Sequence, residues 1–239
     1  MVVWASQRAK KDKEIEKLTK NKLHQVYGAY FDQSRTKKIK KILADLPSPT
    51  DENALKSACR EILQFHASSR ERLPILTEFY QAIFQHIGQP QIILDLACGL
   101  NPLTLPWMLE YGDFQYHAAD IDHGSVALFN QFFEQGGFNA KAFTNDLLFG
   151  VPKIEADVIF LFKTLPCLEQ QEKGISQKLL QELADQTVVL SFPAKSLGGK
   201  DKGMYEHYRA FLEDLMLNLD RNFTELRFDN ETVYVLGEG

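Results

Sequence analysis

Three aspartates in the second half of the chain each close a short apolar run: Asp95 after Ile92-Ile93-Leu94, Asp120 after Gln115–Ala119, and Asp146 just past Ala140–Thr144. Between the first two stands the small-residue turn Ala97-Cys98-Gly99, with Asn101-Pro102 and a resumed apolar segment behind it. A turn without bulky side chains lets a ligand approach the backbone. An acid about 20 residues further on accepts hydrogen bonds from ribose hydroxyls. Asp120 stands at that distance, and Asp146 stands where a side chain reaches an adenine amino group. Together they indicate a nucleoside-type ligand at the carboxyl ends of three consecutive strands. The turn alone is weaker, because one glycine does not meet G-x-G-x-x-G and also fits an ordinary strand-to-helix connection.

Upstream, Ser68 with Glu71 reads as a capping box opening a helix to about Ile87. Arg70 and Arg72 then fall in its first turn, beside the positive end of the helix dipole, so a specific anionic partner is expected there. His66 precedes this helix and is read as structural.

These residues need a scaffold of alternating strands and helices. Strands are expected at 91–95, 115–120, 140–144, 157–162 and 187–192, closed by a hairpin of 223–228 and 231–236 through Asp229-Asn230. Helices are expected at 102–111, 124–135, 167–184 and 203–219, an alternation that argues for a parallel sheet. Seven strands ending in a hairpin is the layout of class I methyltransferases rather than of nicotinamide dehydrogenases. Before residue 89 the pattern is helical: 5–28, 35–46 up to Pro47-Ser48-Pro49, 51–65 capped by Asp51, and the helix from Ser68. Two domains are expected, a basic helical one at 1–88 and an α/β one at 89–239.

A chain of 239 residues, 44% hydrophobic and 25% charged, has the composition of an ordinary soluble protein. Cys59, Cys98 and Cys167 show no paired spacing, so neither a disulfide framework nor a metal site is indicated, and a reducing cytoplasm fits. No apolar run suits a signal peptide or a membrane span. The net charge of −5 hides an asymmetry: +8 before residue 42, with 12 Lys/Arg against 4 acids, and −13 over the rest. A basic arm on an acidic body suits a polyanionic partner, since cations that neutralise phosphates release counterions. Lys10, Lys11, Lys37, Lys38, Lys40 and Lys41 are its candidate RNA contacts.

Several blocks go further: LHQVYGAY (23–30), HASSRERLP (66–74), LDLACGLNPL (94–103), ADID (119–122), FKTLPCLE (162–169) and SFPAKSLGGKDKGM (191–204). In this order they resemble the aminoglycoside-resistance 16S ribosomal RNA methyltransferases, which use S-adenosylmethionine to methylate N7 of a decoding-site guanine, guanine-1405. The resemblance spans roughly residues 23 to 204. It implies a class I S-adenosylmethionine-dependent methyltransferase fold, a Rossmann-like seven-stranded sheet with an N-terminal helical domain docking on the small ribosomal subunit. It implies that Arg72 pairs with the methionyl carboxylate, that Ala97 and Gly99 admit the cofactor beside Asp95, and that Asp120 holds the ribose and Asp146 the adenine. Lys163 and Glu169 would stand at the mouth of the site, Lys163 also touching the cofactor. The loop with Lys195, Lys200 and Lys202, and Met204 after it, would position the target nucleotide. A cytoplasmic monomer is expected.

Guanine N7 carries an exposed lone pair, so no general base is expected; rate would come from in-line placement and an environment that tolerates a cationic base. Pro166-Cys167 superficially resembles the nucleophile segment of cytosine-C5 methyltransferases, but Cys167 is read as a small hydrophobe. The alternatives are a methyltransferase for another position of the same RNA, adenine N1 or cytosine C5, and a non-catalytic RNA-binding protein with a vestigial cofactor fold.

Overall fold

A computed structural model describes residues 5–6, 8–27, 33–194 and 203–237. The chain divides into two compact units, Met1–Lys41 and Ile42–Gly239. In the first, α1 (Asp12–Tyr27) opens with Asp12 and Glu14 in its first turn, where acids suit the helix dipole. Helix α2 (Gln33–Ala44) follows. Lys10, Lys11, Lys37, Lys38, Lys40 and Lys41 are all exposed.

The second unit begins before the expected boundary at residue 88, and the reason is packing. Helix α3 (Glu52–Leu63), capped by Asp51 through the Ala54 N–H at 3.0 Å, sets Arg60 over the Trp107 ring at 5.0 Å. Its Lys56 reaches Glu110 at 2.5 Å. The segment read as one helix from Ser68 to Ile87 is two, α4 (Ala67–Arg72) and α5 (Leu76–Ile87), separated by a 3-10 turn at Leu73–Ile75. Pro74 lacks an N–H to continue the ladder, and the backbone leaves the helical region at Ile75 (φ −109°, ψ 6°) before α5 begins. The capping box does not form: the helix starts at Ala67, His66 occupies the cap position without capping the helix through its side chain, and the Glu71 carboxylate pairs with Lys163. On α5, Phe79 packs on Phe162 and Phe228, tying this helix to the sheet.

The sheet has seven strands, β1 (Ile92–Leu96), β2 (Gln115–Asp120), β3 (Ala140–Thr144), β4 (Val158–Phe162), β5 (Thr187–Pro193), β6 (Phe223–Arg227) and β7 (Glu231–Leu236). Their order is β3-β2-β1-β4-β5-β7-β6, parallel except β7, which runs antiparallel to both its neighbours. Between β1 and β4 the order reverses, and ligands of such sheets bind outside the carboxyl ends at that switch point. Strands β4 and β7 are buried throughout, as expected of strands covered on both faces.

Between strands, the expected helix at 102–111 is a short α6 (Leu105–Met108) flanked by 3-10 turns, because Pro102 and Pro106 interrupt its ladder. Helix α7 (His123–Gly136) follows β2. The expected helix at 167–184 is also two, α8 (Leu165–Glu169) and α9 (Ile175–Glu182), broken before Gly174, whose φ of 80° favours a residue without Cβ. Helix α10 (Met204–Leu219) precedes the closing hairpin. Among the described residues no helix is long and apolar enough to cross a membrane.

Candidate active site

The expected acids stand at the carboxyl ends of β1, β2 and β3, and Asp120 is tied to the turn after β1. After Leu96 the backbone enters the left-handed region at Ala97 (φ 50°) and again at Gly99 (φ 54°). For Ala97 that conformation is strained, and such strain persists where surrounding bonds over-determine the turn. Here the Cys98 N–H donates to the Ala119 carbonyl at 3.0 Å, and the Gly99 N–H donates to Asp120 Oδ2 at 2.9 Å. The other Asp120 oxygen accepts the Asp122 N–H at 3.0 Å. Burial pushes Asp120 above the ordinary carboxylate range, with the Asp122 and Gly99 N–H groups pulling the other way. The His66 ring lies against the turn: a Cβ on Gly99 would stand 3.6 Å from its Cε1. Asp146 caps the turn after β3 through the Leu148 N–H at 3.0 Å, and Asp122 caps α7.

Asp95 is buried to 1% exposure. Its Oδ2 accepts from Asn101 Nδ2 at 2.7 Å and from the Tyr116 hydroxyl, whereas its Oδ1, equally buried, meets no donor among the described residues. Burial pushes this carboxyl up to about 7, against the pull of the Tyr116 and Asn101 hydrogen bonds. Between about pH 4 and 7 the folded chain therefore binds more protons than the unfolded one, so this contribution to stability is full at the acid end and lost progressively as pH rises to 7. Its size is on the order of 4 kcal/mol. Urea unfolding of Asp95→Asn should show a flatter dependence on pH across that window than the parent protein; identical slopes would refute the assignment.

Arg72 is the hub of a second cluster. Both its Nε (3.1 Å) and Nη2 (2.5 Å) donate to Glu231, and its Nη1 donates to Asn101 Oδ1 at 2.9 Å. The guanidinium lies over the rings of Phe79 and Phe162 at 4.4 and 4.6 Å. Lys163, immediately after β4, places its Nζ 2.9 Å from Glu71 and 3.3 Å from Glu231. Its backbone, like that of Ala97, is left-handed (φ 55°). Burial alone would raise Glu231, yet Arg72 and Lys163 together outweigh it and hold the carboxyl below its ordinary range. Because α4 is six residues long, Arg70 and Arg72 occupy its last turn, not its first. The dipole there favours cations, and the anion facing Arg72 in the structure is the protein's own Glu231.

Other expected residues fall apart from this centre. Both oxygens of Glu169 accept backbone N–H groups, from Gly174 at 2.9 Å and Ser176 at 2.8 Å, so it closes the turn into α9 rather than presenting a free carboxylate. Met204 is the first residue of α10, and Lys195, Lys200 and Lys202 lie outside the described residues. Cys167 places its Sγ 3.7 Å from the Lys163 carbonyl. Among the described residues no three His, Cys, Asp or Glu side chains converge as a metal site would require. Sequence reasoning missed Glu231, Glu71 and Asn101. The signal for Glu231 was an acid opening the apolar strand ETVYVL; Glu71 was hidden by its fit to a capping box.

Residues 3–235 match the ribosomal RNA methyltransferase (FmrO) family. The chain belongs to that family. Among its relatives is the 16S rRNA (guanine(1405)-N(7))-methyltransferase of Micromonospora echinospora, 37% identical over 223 residues, which are 92% of this chain and 81% of that protein. The enzyme of the same description from Proteus mirabilis is 35% identical over 94% of this chain and 84% of its own length. The crystal structure of the 16S rRNA methyltransferase RmtF in complex with S-adenosyl-L-homocysteine superposes with a TM-score of 0.86 at 32% identity, covering all of this chain and 88% of that one. Membership of this ribosomal RNA methyltransferase family agrees with the class I fold and with the acids gathered at the carboxyl ends of β1 to β3.

Proposed function

We propose that this protein transfers a methyl group from S-adenosylmethionine to N7 of guanine 1405 of 16S rRNA in the small ribosomal subunit, and so gives aminoglycoside resistance. The observation that carries this is identity of 35–37% with guanine-1405 N7 methyltransferases over more than nine-tenths of the chain. It acts as a monomer in the cytoplasm, where ribosomes are.

The residues present suit this cofactor. The buried, unpartnered Oδ1 of Asp95 offers an acceptor beside the turn, and a cationic amino group is its natural donor. The left-handed backbone at Ala97 and Gly99 keeps side chains out of the approach. Asp120 would hold the ribose and Asp146 the adenine. Arg72 would meet the methionyl carboxylate, with three of its donors already committed to Glu231 and Asn101. Bound S-adenosylmethionine supplies an electrophilic methyl group. The chain need not remove a proton, since N7 presents its lone pair directly. What the residues contribute is placement, by Lys163 near the cofactor and by Lys195 and Met204 toward the target, within a setting rich in carboxylates that favours a base becoming cationic. Lys10, Lys11, Lys37, Lys38, Lys40, Lys41, Lys200 and Lys202 would neutralise RNA phosphates.

The test is transfer of labelled methyl to purified small subunits, with free 16S RNA as control and the modified base mapped by primer extension after reduction and strand scission. A stop at guanine 1405 is expected, and a stop elsewhere would reassign the target. Cys167→Ser should keep most of this activity, because N7 methylation needs no covalent adduct; complete loss with intact cofactor binding would favour cytosine C5 chemistry.

A further inference from the structure

We propose that Glu231 is a positioning residue of the methyl-transfer site, tying Arg72 on the cofactor side to Lys163 at the end of β4 so that the two cations act as one unit. This rests on the assignment above of Arg72 and Lys163 to the cofactor.

Glu231 is the first residue of β7 and pairs across the sheet with Pro193 at the end of β5, which delivers its carboxylate to the switch point from an antiparallel neighbour. It is fully buried. One oxygen is taken by Arg72 Nη2, and the other is shared between Arg72 Nε at 3.1 Å and Lys163 Nζ at 3.3 Å. The rings of Phe79 and Phe162, which meet edge to face, hold the guanidinium at 4.4 and 4.6 Å, and the carboxylate settles the direction of its N–H groups. Lys163 is held from three sides. Its N–H meets the Ser191 carbonyl at 2.9 Å and Oγ at 3.2 Å, and its Nζ lies between Glu231 and Glu71.

From Arg72 the chain of contacts continues through Asn101 to Asp95. An unbroken polar line therefore runs from the acid near the end of β1 to the lysine that follows β4. Apolar residues of similar volume often stabilise a fold as well as a buried ion pair does, so bulk stability does not require four charged side chains here. Fixed orientation of Arg72, and of Lys163 on its left-handed backbone beside the switch point, does require them.

The experiment uses the full chain and reads affinity for S-adenosylhomocysteine by calorimetry together with single-turnover methylation of small subunits at saturating cofactor. Glu231→Gln keeps the volume and removes the charge; affinity should fall at least tenfold and the single-turnover rate should fall with it, with partial rescue in Glu231→Asp. Arg72→Lys, Lys163→Gln and their double variant form a cycle. Arg72 and Lys163 both contact the Glu231 carboxylate, so penalties on cofactor affinity that depart from additivity fivefold or more report coupling of the two cations at that carboxylate. Additive penalties would overturn it, as would a Glu231→Gln protein that binds and turns over like the parent. Should Glu231→Gln fail to fold, the cycle alone decides. Failure of the parent to methylate small subunits would instead count against the proposed function, and the calorimetric cycle would still read the tie.

Discussion

Arg72→Ala is expected to destabilise the protein by about 3–5 kcal/mol, because it removes one partner of a buried ion pair and leaves Glu231 under-compensated. Glu231 has no exposed surface, and Lys163 at 3.3 Å would remain as its one counter-ion among the described residues. The cost includes the packing of the guanidinium against Phe79 and Phe162 and the loss of its hydrogen bond to Asn101. For a chain of this size the melting temperature should drop by on the order of 10 °C. Replacing both partners, as in Arg72→Met with Glu231→Leu, should recover much of that loss while leaving methyl transfer abolished, since the cavity is filled but the charges are gone. Thermal melts and methylation assays on the same preparations check both halves. A double variant no more stable than Arg72→Ala would show that burying an under-compensated charge is not what the single substitution costs.

The second large effect is expected at the other unit. Neutralising Lys10, Lys11, Lys37, Lys38, Lys40 and Lys41 together should weaken binding to small subunits by on the order of a hundredfold. The dependence on salt should flatten by roughly one unit of logarithmic slope for each RNA phosphate that the protein no longer neutralises. All six side chains are exposed. Loop variants, Lys195→Ala and Met204→Ala, should instead slow methylation of bound subunits with little change in affinity, since positioning acts in the transition state. Binding competition over a salt series and single-turnover assays separate the two. Normal binding by the arm variants, with affinity reduced only in the loop variants, would reverse this division of labour.

The sequence alone determined the strand set of the α/β unit, each strand to within a residue or so, and the place of Asp95, Asp120 and Asp146 at strand ends. Those features are local: apolar runs, turn residues and caps such as Asp51 act over a few positions, and the chain order of strand and helix follows from them. Helix interruptions were legible in principle at Pro74, Pro102, Pro106 and Gly174, but periodicity ran across them and favoured longer helices. Only the tertiary structure decided what Arg72 faces. Its partner lies 159 residues away along the chain, and it is the antiparallel insertion of β7 beside β5 that carries Glu231 to the switch point. The same packing turned Glu71 from a capping residue into a partner of Lys163, and drew the helices between residues 52 and 87 into the unit of the sheet. Ion pairs between distant segments leave no periodic trace, because each partner is a single residue whose neighbours along the chain are fixed by other contacts.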